Sequence, residues 1–249
     1  MKSSFALFFP VIVLAAAACS SSSSAPLTGA DAGADTGATL DAGGADSASS
    51  CSAAIAQTLK PIDSVSKGAV TLLSDTGGVK ALAIDATAGG ANAFANNPYI
   101  YVNLSTGTRV DVTDKTARAS TDWDLALKRY VIYTNSGDGG GGRGGALHVT
   151  TPFDGVTSAD AKGTFGTEVF FDADCNAQKD AIGGLLTTFS DWYAYDSQSN
   201  RLTPAAPLTY VVKGGTGKLF KVALQSYYGE PDGGAGTAGG FILLQVAPL

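Results

Sequence analysis

The chain has 249 residues, and its 16 basic and 22 acidic side chains leave a net charge of −6. That balance, with no basic run interleaved with aromatics, gives no electrostatic reason to bind nucleic acid. Hydrophobic residues make up 45% of the chain, enough for a sizeable core and too many for wholesale disorder.

Lys2 is the only charge ahead of an apolar stretch, Phe5 to Leu14, which runs into Ala15-Ala16-Ala17-Ala18-Cys19. This order of charge, apolar run and small residues predicts a signal peptide over residues 1–18. Small residues before a cysteine resemble the lipobox of bacterial lipoproteins, so Cys19 is the expected lipid-attachment residue. An ordinary signal peptide cut after Ala18 is the alternative, since Ala16-x-Ala18 also suits that peptidase. Ser20 after Cys19 is compatible with sorting to an outer membrane or cell surface. Residues 19–50 read as a tether of Ser, Ala, Gly, Thr and Asp, with only Leu27 and Leu40 as large aliphatics. Such a composition cannot offset its ordering entropy, and Asp31, Asp35, Asp41 and Asp46 repel one another along it. No later segment approaches the ~20 apolar residues of a membrane-spanning helix.

Residues 51–249 are the folding part. Cys51 and Cys175, the two cysteines left after Cys19, are expected to pair in an exported protein. A short helix is predicted over Ala53, Ala54, Ile55 and Leu59, stopped by Pro61. Beyond it the pattern is β: 69–73, 79–85, 99–104 and 108–112, with Ser105-Thr106-Gly107 as a hairpin turn. Trp123 to Thr134 reads as one strand, with Trp123, Leu125, Leu127, Val131 and Tyr133 on one face and Asp124, Lys128 and Thr134 on the other. The glycine tract 137–145 contains GxGxxG matches, but no helix follows within a βαβ unit, so it reads as a flexible β-loop. Further strands are predicted at 146–150, 168–171, 191–195, 208–213, 218–228 and 241–246. The spacing argues for an all-β fold, an antiparallel sandwich or a barrel-like single domain.

Asp172-x-Asp174-x-Asn176 with Asp180 has oxygen-rich spacing, but an EF-hand needs Gly and Glu where Ala177 and Gly183 stand. A solvated loop anchored by the disulfide is the expectation. No nucleophile-elbow sequence accompanies the single histidine, His148, and no enzyme is expected.

Several segments together resemble the HmuY family of bacterial surface lipoproteins. They are Tyr99-x-Tyr101-Val102-Asn103-Leu104 with Thr106-Gly107, Trp123-Asp124-Leu125-Ala126-Leu127, Tyr130, and Thr134-Asn135-Ser136-Gly137 with the glycine loop. At the C-terminal end come Trp192-Tyr193-x-Tyr195-Asp196, Tyr210-Val211-Val212, and Lys218-x-x-Lys221-Val222 with Ser226-Tyr227-Tyr228. The resemblance implies an all-β lipoprotein that binds haem at the cell surface and passes it on, with an outer-membrane receptor as partner. It also implies two axial ligands, usually histidines, one within 171–184 and one near Ser197. Neither place holds a histidine, and Met1 is the only methionine. His148 remains the one imidazole, with Tyr195 as a candidate companion among Tyr193, Tyr227 and Tyr228. Its parity, opposite to Leu147 and Val149, turns it toward solvent or a polar neighbour. The expected function is non-enzymatic binding of haem or another flat tetrapyrrole by a membrane-tethered lipoprotein. The alternative is a structural or interaction module that keeps the fold and has lost haem ligation.

Overall fold

The computed structural model describes residues 51–87 and 96–249. The signal peptide, Cys19 and the tether lie outside the described residues.

Helix α1 spans Ser52–Leu59 and ends at Lys60, whose left-handed backbone (φ 44°) precedes Pro61. Twelve strands follow: β1 Val70–Thr76, β2 Val79–Asp85, β3 Ile100–Asn103, β4 Thr108–Val110, β5 Leu125–Lys128, β6 Val131–Thr134, β7 Gly145–Val149, β8 Tyr193–Asp196, β9 Arg201–Pro204, β10 Thr209–Lys213, β11 Leu219–Ser226 and β12 Phe241–Pro248. A one-turn helix, α2 (Asp114–Ala117), sits between β4 and β5 and starts from a capping box on Thr113. The strands form a six-stranded sheet in the order β1-β2-β12-β11-β10-β7, a four-stranded sheet β4-β3-β5-β6 and a separate pair β8-β9. All pairings within them are antiparallel. The two larger sheets face one another as a sandwich, and neither closes into a barrel.

Strand alternation explains the layering. Ile100, Val102, Leu125, Leu127 and Ile132 of the four-stranded sheet pack with Leu82, Ile84, Val222 and Leu244 of the larger one. The residues between them in sequence, Tyr101, Ala126 and Tyr133, point the other way into a second cluster. There they meet Trp123, Phe170, Phe171 and the apolar side of α1, Ala54, Ile55 and Leu59. The small sheet is therefore a middle layer, covered on both faces. Cys51 and Cys175 are joined by a disulfide that ties the start of α1 to the loop on this outer side.

Three sequence expectations need correction. Trp123 to Thr134 is a hairpin, not one strand: Arg129 adopts φ 52°, and Leu125 pairs with Thr134, Ala126 with Tyr133. Its polar residues Asp124, Lys128 and Thr134 are all buried. The 168–171 segment is not a strand; Phe171 makes an isolated bridge to Ala177, while Glu168 turns inward to bind polar groups.

The glycine tract is not a flexible loop but is wrapped around a buried side chain. Asn135 donates from Nδ2 to the carbonyls of Ser120 (2.9 Å) and Trp123 (3.0 Å), and its Oδ1 accepts from Gly142 N (2.9 Å). Gly144 N donates to the Asn135 carbonyl at 2.9 Å. At Gly140 a Cβ would run into the Asn135 side chain and stand 2.8 Å from the Trp123 ring. These glycines supply room for close backbone approach, not freedom.

Candidate ligand-binding site

His148 lies on β7, an edge strand of the large sheet, opposite Tyr210 of β10. It shares a face with Ala146, which belongs to the core, but the sheet ends beside it, so its side chain stays 52% exposed. Its Nδ1 stands 2.9 Å from Oδ2 of Asp191. The other oxygen of Asp191 accepts from the Tyr210 hydroxyl at 3.4 Å. Tyr210 presents its ring edge-on to the imidazole and stacks on Phe189 with centroids 4.1 Å apart. Burial, reinforced by the Asp191 charge, pushes the Tyr210 hydroxyl well above the usual phenol range. With Nδ1 engaged by a carboxylate, the neutral ring keeps Nε2 as its lone-pair nitrogen, the arrangement common to metal-binding histidines.

Tyr195 belongs to a different element. It sits on β8 in the separate two-stranded sheet, and its hydroxyl donates to Asn200 Oδ1 at 2.7 Å. The other candidate tyrosines are also engaged: Tyr193 donates to Asp180 Oδ2 at 3.0 Å, and the Tyr228 hydroxyl accepts from Leu202 N at 3.0 Å. Tyr227 is buried, and that burial pushes its hydroxyl up to about 12. His148 is thus brought together with Asp191 and Tyr210, whereas Tyr195 is held by Asn200.

The two stretches in which the family resemblance places ligands are occupied by self-contained turns. Asp172 Oδ1 accepts from Asp174 N (3.0 Å) and Asn176 N (2.8 Å), closing its own loop. Asp180 is turned toward Ile182 N, Gly184 N and Tyr193. Ser197 lies in the β8–β9 turn, where Asp196 accepts from Gln198 N and the Ser199 hydroxyl. Among the described residues, no group of three or more His, Cys, Asp or Glu is placed to hold a metal ion.

Two cavities open between α1 and the outer face of the small sheet, and sequence reasoning missed both. The first, about 240 Å³, is lined by Lys60, Tyr99, Lys128, Tyr130, Lys179 and Leu185, among others. The second, about 200 Å³, is lined by Ile55, Tyr101, Asp114, Arg118 and Tyr133 with neighbours. Leu59 and Tyr99 line both. Neither is lined by His148 or Tyr195. Burial first, and the Asp114 charge among the further causes, raises the hydroxyls of Tyr99, Tyr101 and Tyr133, so these walls are neutral phenols. The only signal in the sequence was Lys128, a charge at the end of an otherwise apolar strand.

The chain is thus an all-β sandwich with a disulfide-held outer layer and a histidine at its edge beside Asp191. The family description "HmuY protein" matches residues 95–239, more than half of the chain, and the chain belongs to the HmuY family. The family is one of haem-binding-type lipoproteins. Among solved structures, the chain is similar to a lipoprotein candidate from Bacteroides fragilis NCTC 9343, at 18% identity over 73% of this chain and 95% of that one, with a TM-score of 0.46. It is similar to a HmuY-like heme-binding candidate from Bacteroides vulgatus ATCC 8482, at 19% identity, 73% and 98% coverage and a TM-score of 0.46. The apo HmuY analogue of Tannerella forsythia matches at 16% identity, with 74% and 99% coverage and a TM-score of 0.43. No curated protein sequence matches the chain.

Proposed function

We propose that this chain is a surface-tethered, non-enzymatic lipoprotein that captures haem or a similar flat tetrapyrrole, with His148 as its contact to iron. Lipid on Cys19 and the acidic tether up to residue 50 hold the binding domain off the membrane, within reach of an outer-membrane receptor. Family membership supports the class of function, and the His148–Asp191 contact of 2.9 Å carries the choice of residue. Haem supplies an iron that accepts a neutral imidazole nitrogen, and Asp191 leaves Nε2 of His148 for that bond. A two-histidine grip does not fit, because His148 is the only histidine in the chain. Tyr195 would have to release Asn200 to serve as a second contact.

A second reading is favoured by the turns in 171–184 and at Ser197, which spend their polar groups on their own backbone. In that reading the fold serves as a structural or interaction module without haem. Haem titration of the purified protein beside His148→Ala separates the two. Saturable one-to-one binding with a sharp Soret band, shifted or lost in the variant, is the expected outcome. Equal binding by both proteins would remove His148 from the site. No binding above a control protein would leave the interaction module.

A further inference from the structure

Among the described residues, three buried side-chain polar atoms lack a hydrogen-bond partner: Asn97 Nδ2, Arg129 Nη1 and the Tyr227 hydroxyl oxygen. All three belong to groups that can donate. Two of them are brought together by the backbone. Arg129 sits in the turn between β5 and β6, and its N donates to the Ala86 carbonyl at 2.8 Å. Ala86 N in turn donates to the Gly240 carbonyl at 2.9 Å, and Gly240 N donates to the carbonyl of Tyr227 at 3.0 Å. Tyr227 is 3% exposed. Burial pushes its hydroxyl up to about 12 and the Arg129 charge pulls it back, so the guanidinium lies within electrostatic reach of that oxygen. Yet neither Arg129 Nη1 nor the hydroxyl reaches hydrogen-bond geometry with the other or with any other group.

Arg129 is partly buried and enters none of the ion pairs found among the described residues. Carboxylates on the adjoining segments are committed elsewhere. Asp85, next to Ala86, accepts from Thr87 N at 3.0 Å and from the Thr87 hydroxyl. Asp180, whose charge acts on Tyr130, accepts from Ile182 N, Gly184 N and the Tyr193 hydroxyl. The aromatic neighbours of Tyr227 have used their polar groups as well. Trp192 Nε1 donates to the Tyr130 carbonyl at 2.9 Å, and the Tyr228 hydroxyl accepts from Leu202 N at 3.0 Å.

We infer that Arg129 Nη1 and the Tyr227 hydroxyl form a binding site for one small inorganic monoanion, a halide such as chloride. The sign follows from the donors. An anion between them satisfies both and supplies the counter-charge that a cation drawn out of water requires. A water could accept from both, but it would leave the charge uncompensated and bring two protons of its own to place. Size follows from Gly239, where a Cβ would stand 2.5 Å from the Tyr227 ring and 3.2 Å from its hydroxyl oxygen. Backbone crowds that side of the ring, which favours a monatomic ion over a polyatomic one. The site shares no residue with the cluster of His148, Asp191 and Tyr210, and its ligand does not depend on haem.

Thermal unfolding of the purified protein at constant ionic strength, with chloride exchanged for the bulky anion gluconate, tests the inference beside Tyr227→Phe and Arg129→Gln. The parent midpoint is expected to rise with chloride, by about 3–5 °C for each tenfold increase above the dissociation constant. Both variants are expected to lose that slope. Tyr227→Phe removes only the hydroxyl and leaves the ring in the core, so it reads the site and not the packing. A parent midpoint indifferent to chloride, or a slope retained by either variant, would overturn the assignment. Diffraction from parent crystals grown in bromide needs no variant. An anomalous peak in contact with both Arg129 Nη1 and the Tyr227 hydroxyl is expected, and a water in that place would overturn it too.

Discussion

Glu168 is 1% exposed, yet its carboxylate accepts from Thr134 N (2.8 Å), Thr134 Oγ1 (3.0 Å), Thr188 N (3.0 Å) and Thr188 Oγ1 (2.6 Å). It joins the end of β6 to the 188 region, a role that its place in an apparent β-run did not disclose. Glu168→Ala would orphan two buried backbone donors, and urea denaturation at pH 7 should show a loss of about 3 kcal/mol. Burial raises the Glu168 carboxyl above its usual range, against the pull of those four hydrogen bonds. The folded state therefore holds this proton more tightly than the unfolded chain, so its stabilising contribution is fullest below the unfolded pKa and is lost as pH rises through the folded one. Compared with Glu168→Gln, the parent protein should gain relative stability as pH is lowered from 7 towards 5. Denaturation curves for both proteins at the two pH values check the sign, and a parent that loses stability relative to the variant on going to pH 5 would refute it. At this scale, the polar neighbour of His148 was legible from strand parity, but its identity as Asp191 was not, because the two are far apart in sequence.

The hairpin β5–β6 and the glycine loop behind it were legible as β-structure, but their detail was not. Alternation distinguishes two faces and cannot say that both are covered, so the burial of Asp124, Lys128 and Thr134 was not legible. The turn at Arg129 carries neither Gly nor Asn, so nothing punctuated the run. Glycine content suggested mobility where the structure uses missing side chains to seat Asn135. Gly140→Ala should therefore cost about 2–3 kcal/mol through overpacking against Asn135 and Trp123. Gly155→Ala, with only Thr151 Cγ2 at 3.2 Å and no positive φ, should stay within about 1 kcal/mol. Thermal melts of the two variants compare them directly, and similar midpoints would restore the flexible-loop reading. The cavity of about 240 Å³ could not be foreseen, since Lys60, Lys128 and Lys179 come to line it only after three distant segments pack together.

Across the whole molecule, the outer layer differs from the sandwich it covers. The two sheets share a continuous apolar core, while α1 buries none of its residues fully and depends on Leu59, Ile55 and the disulfide to stay in place. Replacing both cysteines, Cys51→Ser with Cys175→Ser, should lower stability by about 3 kcal/mol, given the long loop they close. Amide exchange should then quicken first in α1 while β10, β11 and β12 keep their protection; uniform loss across all of them would contradict a separable layer. The all-β class, the helix before Pro61 and the cysteine pairing were legible because each rests on local pattern or simple arithmetic. The order of the sheets was not, because it depends on pairings between ends of the chain. The position of Cys51 also has a mechanical consequence. Any pull applied to the chain ahead of Cys51 reaches a residue that is covalently stapled to Cys175. Tension therefore bypasses the short helix and enters the 172–178 loop, so a domain pulled from that side would not unzip helix first.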